Sequence, residues 1–214
     1  MIDTPTSLQP LPTLRCERRV LGEVAADPSA EMWHGVEAHE FRLAVDGAAP
    51  EQGTRVRCVW DADEWRVLFE VSDIHVWATM TERGAMLYQE EVVEIFVDPM
   101  GDFLNYFEIE LNPLNTVLEV VMRRNRSGYL KDFSWQCEGL RTAARRTPDG
   151  WCGEISIPFR SLIADPPRSG TKWRANFCRI DRPPEIEREL TAWSSPGRGN
   201  FHTPERFGFV EFVG

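Results

Sequence analysis

Glutamates and an asparagine recur at every second position in one short stretch, Glu108, Glu110 and Asn112 in YFEIELN, and Glu94 stands in VVEIFVD just before it. Carboxylates gathered on one surface can hold a cation, accept hydrogen bonds from the hydroxyls of a sugar, or act in pairs as the acid and nucleophile of a glycoside hydrolase. Directly opposed strand residues have Cβ atoms ~4.5–5.5 Å apart, and retaining glycosidases hold their carboxyls ~5–5.5 Å apart, so Glu94 opposed to Glu108 would imitate such a pair. Any hairpin with two opposed glutamates meets that spacing. No nucleophile–histidine–acid set accompanies it, because His34, His39, His75 and His202 stand in unrelated contexts. Binding without hydrolysis is therefore the expectation.

Sugars are held by stacking their C–H faces on aromatic rings while carboxylates and amides pair with their hydroxyls. Tyr88, just before the first acidic strand, and Phe201, just after a Gly-rich loop, could supply such rings, since both sit where strand ends meet loops. Glu94, Glu108, Glu110, Asn112, Asn176, Arg179 and His202 are assigned with them to one ligand face. The alternative for the charged members is an internal ion-pair network, because buried charges are normally paired. Acidic turns at Asp61, Asp63 and Asp98 are candidate ligands for a structural Ca²⁺, which takes oxygens from carboxylates and loop carbonyls; no EF-hand spacing is present. Haem is a further alternative, with Met80, Met86, Met122, His75 and His202 as the available ligands, but no motif selects a pair.

Alternation is what must position these groups. In residues 92–98, Val93, Ile95 and Val97 alternate with Val92, Glu94 and Phe96; in residues 106–112, Phe107, Ile109 and Leu111 alternate with Tyr106, Glu108, Glu110 and Asn112. Period-2 patterns of this kind mark half-buried strands, and the Pro and Gly of residues 98–102 mark the reversal between them. If both apolar sets share a core face, Glu94 and Glu108 share the other. Further strands are read at 38–45, 54–60, 65–71, 117–123, 135–145, 151–158, 172–180 and 207–212, with one helical turn near 158–163. Pairing residues whose numbers sum to 297 aligns the inward sets of 135–145 and 151–158. No helical periodicity is sustained. The expected fold is an all-β, two-sheet antiparallel β-sandwich, jelly-roll or immunoglobulin-like, with few or no helices. Residues 1–29 are expected as an irregular Pro-rich strap and residues 30–214 as one domain.

The composition agrees. A chain that is 42% hydrophobic with 8 Trp and 12 Phe has ample material for a core, and a net charge of −10 disfavours nucleic acid and anionic membrane surfaces as partners. Five widely spaced cysteines without a CxxC pair signal neither zinc nor a disulfide framework, so reduced structural thiols are expected. Neither a secretory signal nor a run of transmembrane length is evident, which makes a cytoplasmic protein the expectation unless an export signal was removed.

In order along the chain, LYQEEVVEIFVD (87–98), NYFEIELNP (105–113), Trp151 with Glu154 and Ile157-Pro158, Trp173 with Asn176, and Phe201, Pro204 and Phe207-Gly208 together resemble the family 9 carbohydrate-binding modules and their relatives in the DOMON-like group. The resemblance implies a β-sandwich that binds one or two sugar units on a concave face between two aromatic rings, with calcium bound structurally elsewhere. It implies that Tyr88 and Phe201 stand where the sugar-binding members have tryptophans and that Glu94 matches their strand glutamate. Their ligand-gripping Arg and Asn fall on Glu108 and Glu110, and their strand Gln on Cys178. A saccharide is the partner this implies.

Overall fold

The computed structural model describes residues 10–184 and 187–214. Its strands are β1 (Thr13–Arg18), β2 (His39–Glu40), β3 (Arg42–Leu43), β4 (Thr54–Trp60), β5 (Glu64–Ser72), β6 (Val92–Asp98) and β7 (Asn105–Leu111), followed by β8 (Val117–Asn125), β9 (Gly128–Asp132), β10 (Arg141–Thr147), β11 (Gly150–Pro158), β12 (Lys172–Asp181), β13 (Glu189–Ala192) and β14 (Gly208–Val213). Only short 3-10 turns interrupt them, and among the described residues no helix is long and apolar enough to cross a membrane. The main path runs β10-β11-β5-β4-β1-β14-β12-β6-β7-β8-β9. It curls so that β11, β5 and β4 face β12, β6 and β7 across one apolar core. The architecture is the expected all-β sandwich.

Alternation dictates the core. Val56, Cys58 and Trp60 from β4, Val93, Ile95 and Val97 from β6, Ile109 and Leu111 from β7, and Trp173, Ala175 and Phe177 from β12 all point into it. Trp65 sits between the halves with its ring centroid 5.8 Å from Phe177 and 6.2 Å from Trp173. Gly153 permits the close approach, because a Cβ there would lie 3.1 Å from Leu111 and 3.0 Å from the ring of Trp151. All five cysteines are free and buried.

Several elements differ from the sequence reading. The strand expected at 38–45 is broken into β2, which pairs with β4, and β3, which pairs with the unexpected strand β13. Residues 13–18, expected within an irregular strap, form β1, whose Leu14 and Cys16 enter the core; the prolines at 10 and 12 stop just short of it. β1 pairs in parallel with both β14 and β4, so it joins two halves that are otherwise antiparallel. Arg126 and Ser127 are the turn into a further strand, β9, and of the expected 135–145 strand only residues 141–145 are paired, within β10. The register there is as expected, with Thr142 opposite Ile155 and Ala144 opposite Gly153.

Arg179 belongs to this core and not to the ligand face. On β12 it has the parity of Phe177, so its side chain turns inward, where it is 1% exposed. Its guanidinium lies 2.7 Å from Asp73, 3.2 Å from Asp181 and 3.6 Å from Glu91. Glu91 in turn accepts Trp151 Nε1–H at 2.6 Å, and Asp181 accepts Gln52 Nε2–H at 2.8 Å. One cation thus ties the end of β5, the entry to β6 and the end of β12. Burial, then the neighbouring Asp73 carboxyl, push Glu91 up to about 8 against the pull of Arg179. A second buried set clips residues 19–36 to the outer face of the other sheet: Arg66 donates to Glu154 at 2.7 Å and to Glu64 at 2.6 Å, and Glu154 accepts the backbone N–H of Ala25 and Ala26.

Removing one member of a buried ion set leaves charges without compensation. Arg179→Met is expected to lose ~3–5 kcal/mol at pH 7 in urea denaturation. The loss should shrink on acidification, because Glu91 then carries its proton in both states. The linkage has the same sign in the parent chain. A carboxyl whose folded pKa is raised contributes stability that is full below its ordinary 4.5 and lost as pH rises through about 8. An Arg179→Met protein as stable as the parent at pH 7 would remove this role.

Candidate functional site

The even-numbered residues of β6, β7, β8 and β12 face away from the sandwich core and build a second apolar cluster that includes Phe96, Tyr106, Leu118, Val120, Cys178 and Ile180. Over it lies a cleft of about 340 Å³. Tyr88, Glu94, Glu108, Phe201 and His202, all assigned to a ligand face from the sequence, line it together. Tyr88 is half-buried on the 3-10 turn Leu87–Gln89, and the Lys131 ammonium lies 5.2 Å from its ring centroid. Phe201 is 6% exposed and packs on Phe96 with centroids 6.2 Å apart, so it is as much core as wall. His202 is held by a 3.0 Å hydrogen bond between its Nδ1 and the Tyr106 hydroxyl. Burial, then Lys131, push the imidazole down to about 4, so it is neutral at physiological pH.

Two acidic residues of the floor, Glu94 and Glu108, line the cleft, and Glu110 beside them is fully buried outside its lining. Glu94 stands directly opposite Glu110, and Glu108 opposite Phe96, so Glu94 and Glu108 share a face as expected but are diagonal neighbours and not an opposed pair. The reason is the reversal, which extends beyond Asp102 to Asn105 and shifts the register by two residues while keeping parity. One carboxylate oxygen from each of Glu94, Glu108 and Glu110 lies within 4.8 Å of the others. The three residues are 2%, 2% and 0% exposed, and Oε2 of Glu94, Oε2 of Glu108 and both oxygens of Glu110 have no hydrogen-bond partner among the described residues other than the bond that Glu108 and Glu110 share when Glu110 carries a proton. Burial holds Glu94 and Glu110 well above the usual carboxylate range, and the neighbouring carboxylates add to it. Burial also raises Glu108, with Lys131 opposing. Cys178 lies fully buried beside this group, its thiol pushed up by burial and then by Glu94 and Glu108, which leaves it unreactive.

Other assigned residues do structural work outside the cleft. Asn112 has the right parity but stands past the end of β7, where its amide donates to Met80 O at 2.8 Å and its oxygen accepts the N–H of Leu114 and Thr116. Asn176 exchanges hydrogen bonds of 2.9 Å with both backbone groups of Ser194 and so anchors the loop that leads to Phe201. Asp61 Oδ1 accepts the N–H of Asp63 and Glu64 in the β4–β5 turn, and Asp98 accepts those of Met100, Gly101 and Phe103. Asp61, Asp63 and Asp98 therefore do not converge on a calcium cage. The acidic groups that do converge among the described residues are the floor triad and Asp73, Glu91 and Asp181, and Arg179 fills the latter. Of the methionines considered for haem, Met122 is buried in the second apolar cluster, and Met80 and Met86 pack against it.

The cleft also holds residues that the sequence reading passed over. Lys131 arrives on β9, Gln89 adjoins Tyr88, Asn200 adjoins Phe201, and Arg182 and Arg188 complete the lining. Alternation in the short GYLKD strand was the available signal for Lys131.

A β-sandwich with a carboxylate-floored cleft between a half-buried tyrosine and a phenylalanine has the form of a small-ligand-binding module. The chain belongs to the family described as carbohydrate family 9 binding domain-like, whose sequence pattern matches residues 26–214. Two structures of a family 9 carbohydrate binding module from Caldicellulosiruptor kristjanssonii share the fold. The complex with cellotriose has a TM-score of 0.74 at 19% identity, over 95% of this chain and 94% of that one. The complex with glucose has a TM-score of 0.72 at 18% identity, over 95% and 96%. A candidate carbohydrate-binding protein from Bacteroides uniformis has a TM-score of 0.77 at 17% identity, over 94% and 98%. No curated protein matches the chain in sequence.

A buried carboxyl with a raised pKa favours the folded state below its ordinary pKa and loses that contribution as pH rises. Glu110→Gln removes one such group without changing its shape. The melting midpoint at pH 8 should rise by about 2–4 °C, or ~1 kcal/mol, with little change at pH 4. Thermal scans by circular dichroism at the two pH values check this, and a fall at pH 8 would show that the triad is compensated.

Proposed function

We propose that this chain is a non-catalytic module that holds a short saccharide or glycan end in the cleft between Tyr88 and Phe201. The observation that carries the reading is the convergence of an accessible ring, a second ring and buried carboxylates in one cleft whose ~340 Å³ falls in the range of small-molecule sites. Stacking supplies affinity for the apolar faces of a sugar, and Glu94 and Glu108 at the floor supply acceptors for its polar edge. Family membership supports the same reading, as do the cellotriose and glucose complexes of the Caldicellulosiruptor module. Binding without hydrolysis is supported by membership of a family of binding domains.

The two rings should respond differently to truncation. Tyr88→Ala is expected to weaken binding of cellotriose or glucose by ~1–3 kcal/mol, roughly 5- to 150-fold, with the melting midpoint almost unchanged. Phe201→Ala should lower both affinity and stability, the latter by ~3–5 kcal/mol, because its ring packs on Phe96. Calorimetric titration with thermal unfolding measures both. Unaltered binding by Tyr88→Ala would place the site elsewhere.

A further inference from the structure

We infer that the cleft selects a saccharide carrying a free primary amine, whose ammonium group sits among Glu94, Glu108 and Glu110; this rests on the saccharide-binding reading of the same cleft. Oxygens no more than 4.8 Å apart have a common centre at most about 2.8 Å from each, the length of a charge-assisted N–H···O bond. An ammonium brings three N–H donors, one for each carboxylate. A sugar hydroxyl brings one.

No cation of the protein reaches ion-pair distance of the triad among the described residues, and Lys131 favours the charged form of all three carboxyls only from beyond that distance. Lys131 is placed over the Tyr88 ring and makes no ion pair with the triad, and Arg182 and Arg188 line the cleft without an ion pair among the described residues. A hard metal ion is a poorer match than an ammonium. Ca²⁺ sites draw six to eight oxygens, backbone carbonyls among them. Glu94, Glu108 and Glu110 stand mid-strand, β6 between β12 and β7, and β7 between β6 and β8, so the local carbonyls are committed to the ladders. The cations around the cleft add a second constraint. Lys131, Arg182 and Arg188 would repel further amines along a chain, so the fitting ligand has its amine on the terminal unit and neutral or anionic groups beyond it. Because burial favours the protonated carboxyls of Glu94 and Glu110, seating an ammonium must expel protons from the triad.

Calorimetric titration of the full chain with D-glucosamine, D-glucose and N-acetyl-D-glucosamine, in two buffers of different ionisation enthalpy, tests this. The expected result is glucosamine at least tenfold tighter than either neutral sugar, with net proton release, and a preference that falls to near parity in Glu94→Gln and Glu108→Gln. Melting midpoints equal to or above the parent's would show that those variants fold, and proton release by the parent needs no variant. Equal affinities for the three sugars would overturn the inference while leaving the saccharide reading intact. Binding of Ca²⁺ to the parent, lost in Glu108→Gln, would overturn it in favour of a metal site. If no saccharide binds the folded parent, the underlying reading fails with it.

Discussion

Parity on β6, β7 and β12 is the constraint on which everything else depends. Odd-numbered residues fill the space between the two halves of the sandwich, and even-numbered residues build the floor of the cleft. A slip of one residue in any of these strands would drive glutamates into the tryptophan- and phenylalanine-rich core and turn valines and isoleucines outward. The core therefore fixes the orientation of the cleft without touching it. Arg179 shows the same rule from the other side, since its odd position commits a charged side chain to the interior.

The protein handles buried charge in two contrasting ways. Around Arg179 and Arg66, guanidinium groups meet carboxylates at 2.6–3.6 Å, and backbone, indole or amide N–H groups add to the set, although Nε of each arginine has no partner among the described residues. These sets tie together segments distant in sequence. In the triad of Glu94, Glu108 and Glu110 no cation approaches to ion-pair distance, and burial is met by holding protons on the carboxyls, with Lys131 only partly opposing. Unsatisfied polar atoms are rare in folded interiors and concentrate where a protein works. The fold accommodates them because the core beneath β6, β7 and β12 is dense in aromatic contacts.

Much of this was legible in the sequence, because alternation is local. Val93, Ile95, Val97, Ile109 and Leu111 announced their face, and with them Glu94, Glu108 and Glu110 theirs. What remained hidden is set by long-range pairing. Which glutamate opposes Glu94 depends on a reversal whose length is fixed by Asp98 accepting three backbone N–H groups, and composition does not encode that length. Asn112 and Asn176 have the parity of cleft residues but lie where loops press against the sheet, so backbone groups claim them. β1 escaped notice because it pairs with strands more than thirty and nearly two hundred residues away, with only six residues to show a pattern.

The parallel pairing of β1 with β14 also sets how the domain bears load. From Thr13 opposite Phe209 to Glu17 opposite Val213, the two strands run side by side in one direction. Tension drawing the front of β1 and the tail of β14 apart acts along the strands, and their hydrogen bonds are sheared as a set instead of opening one at a time like a zipper. A sandwich clamped in this way resists mechanical pulling more strongly than its equilibrium stability alone would suggest, a property governed by the rate of forced unfolding.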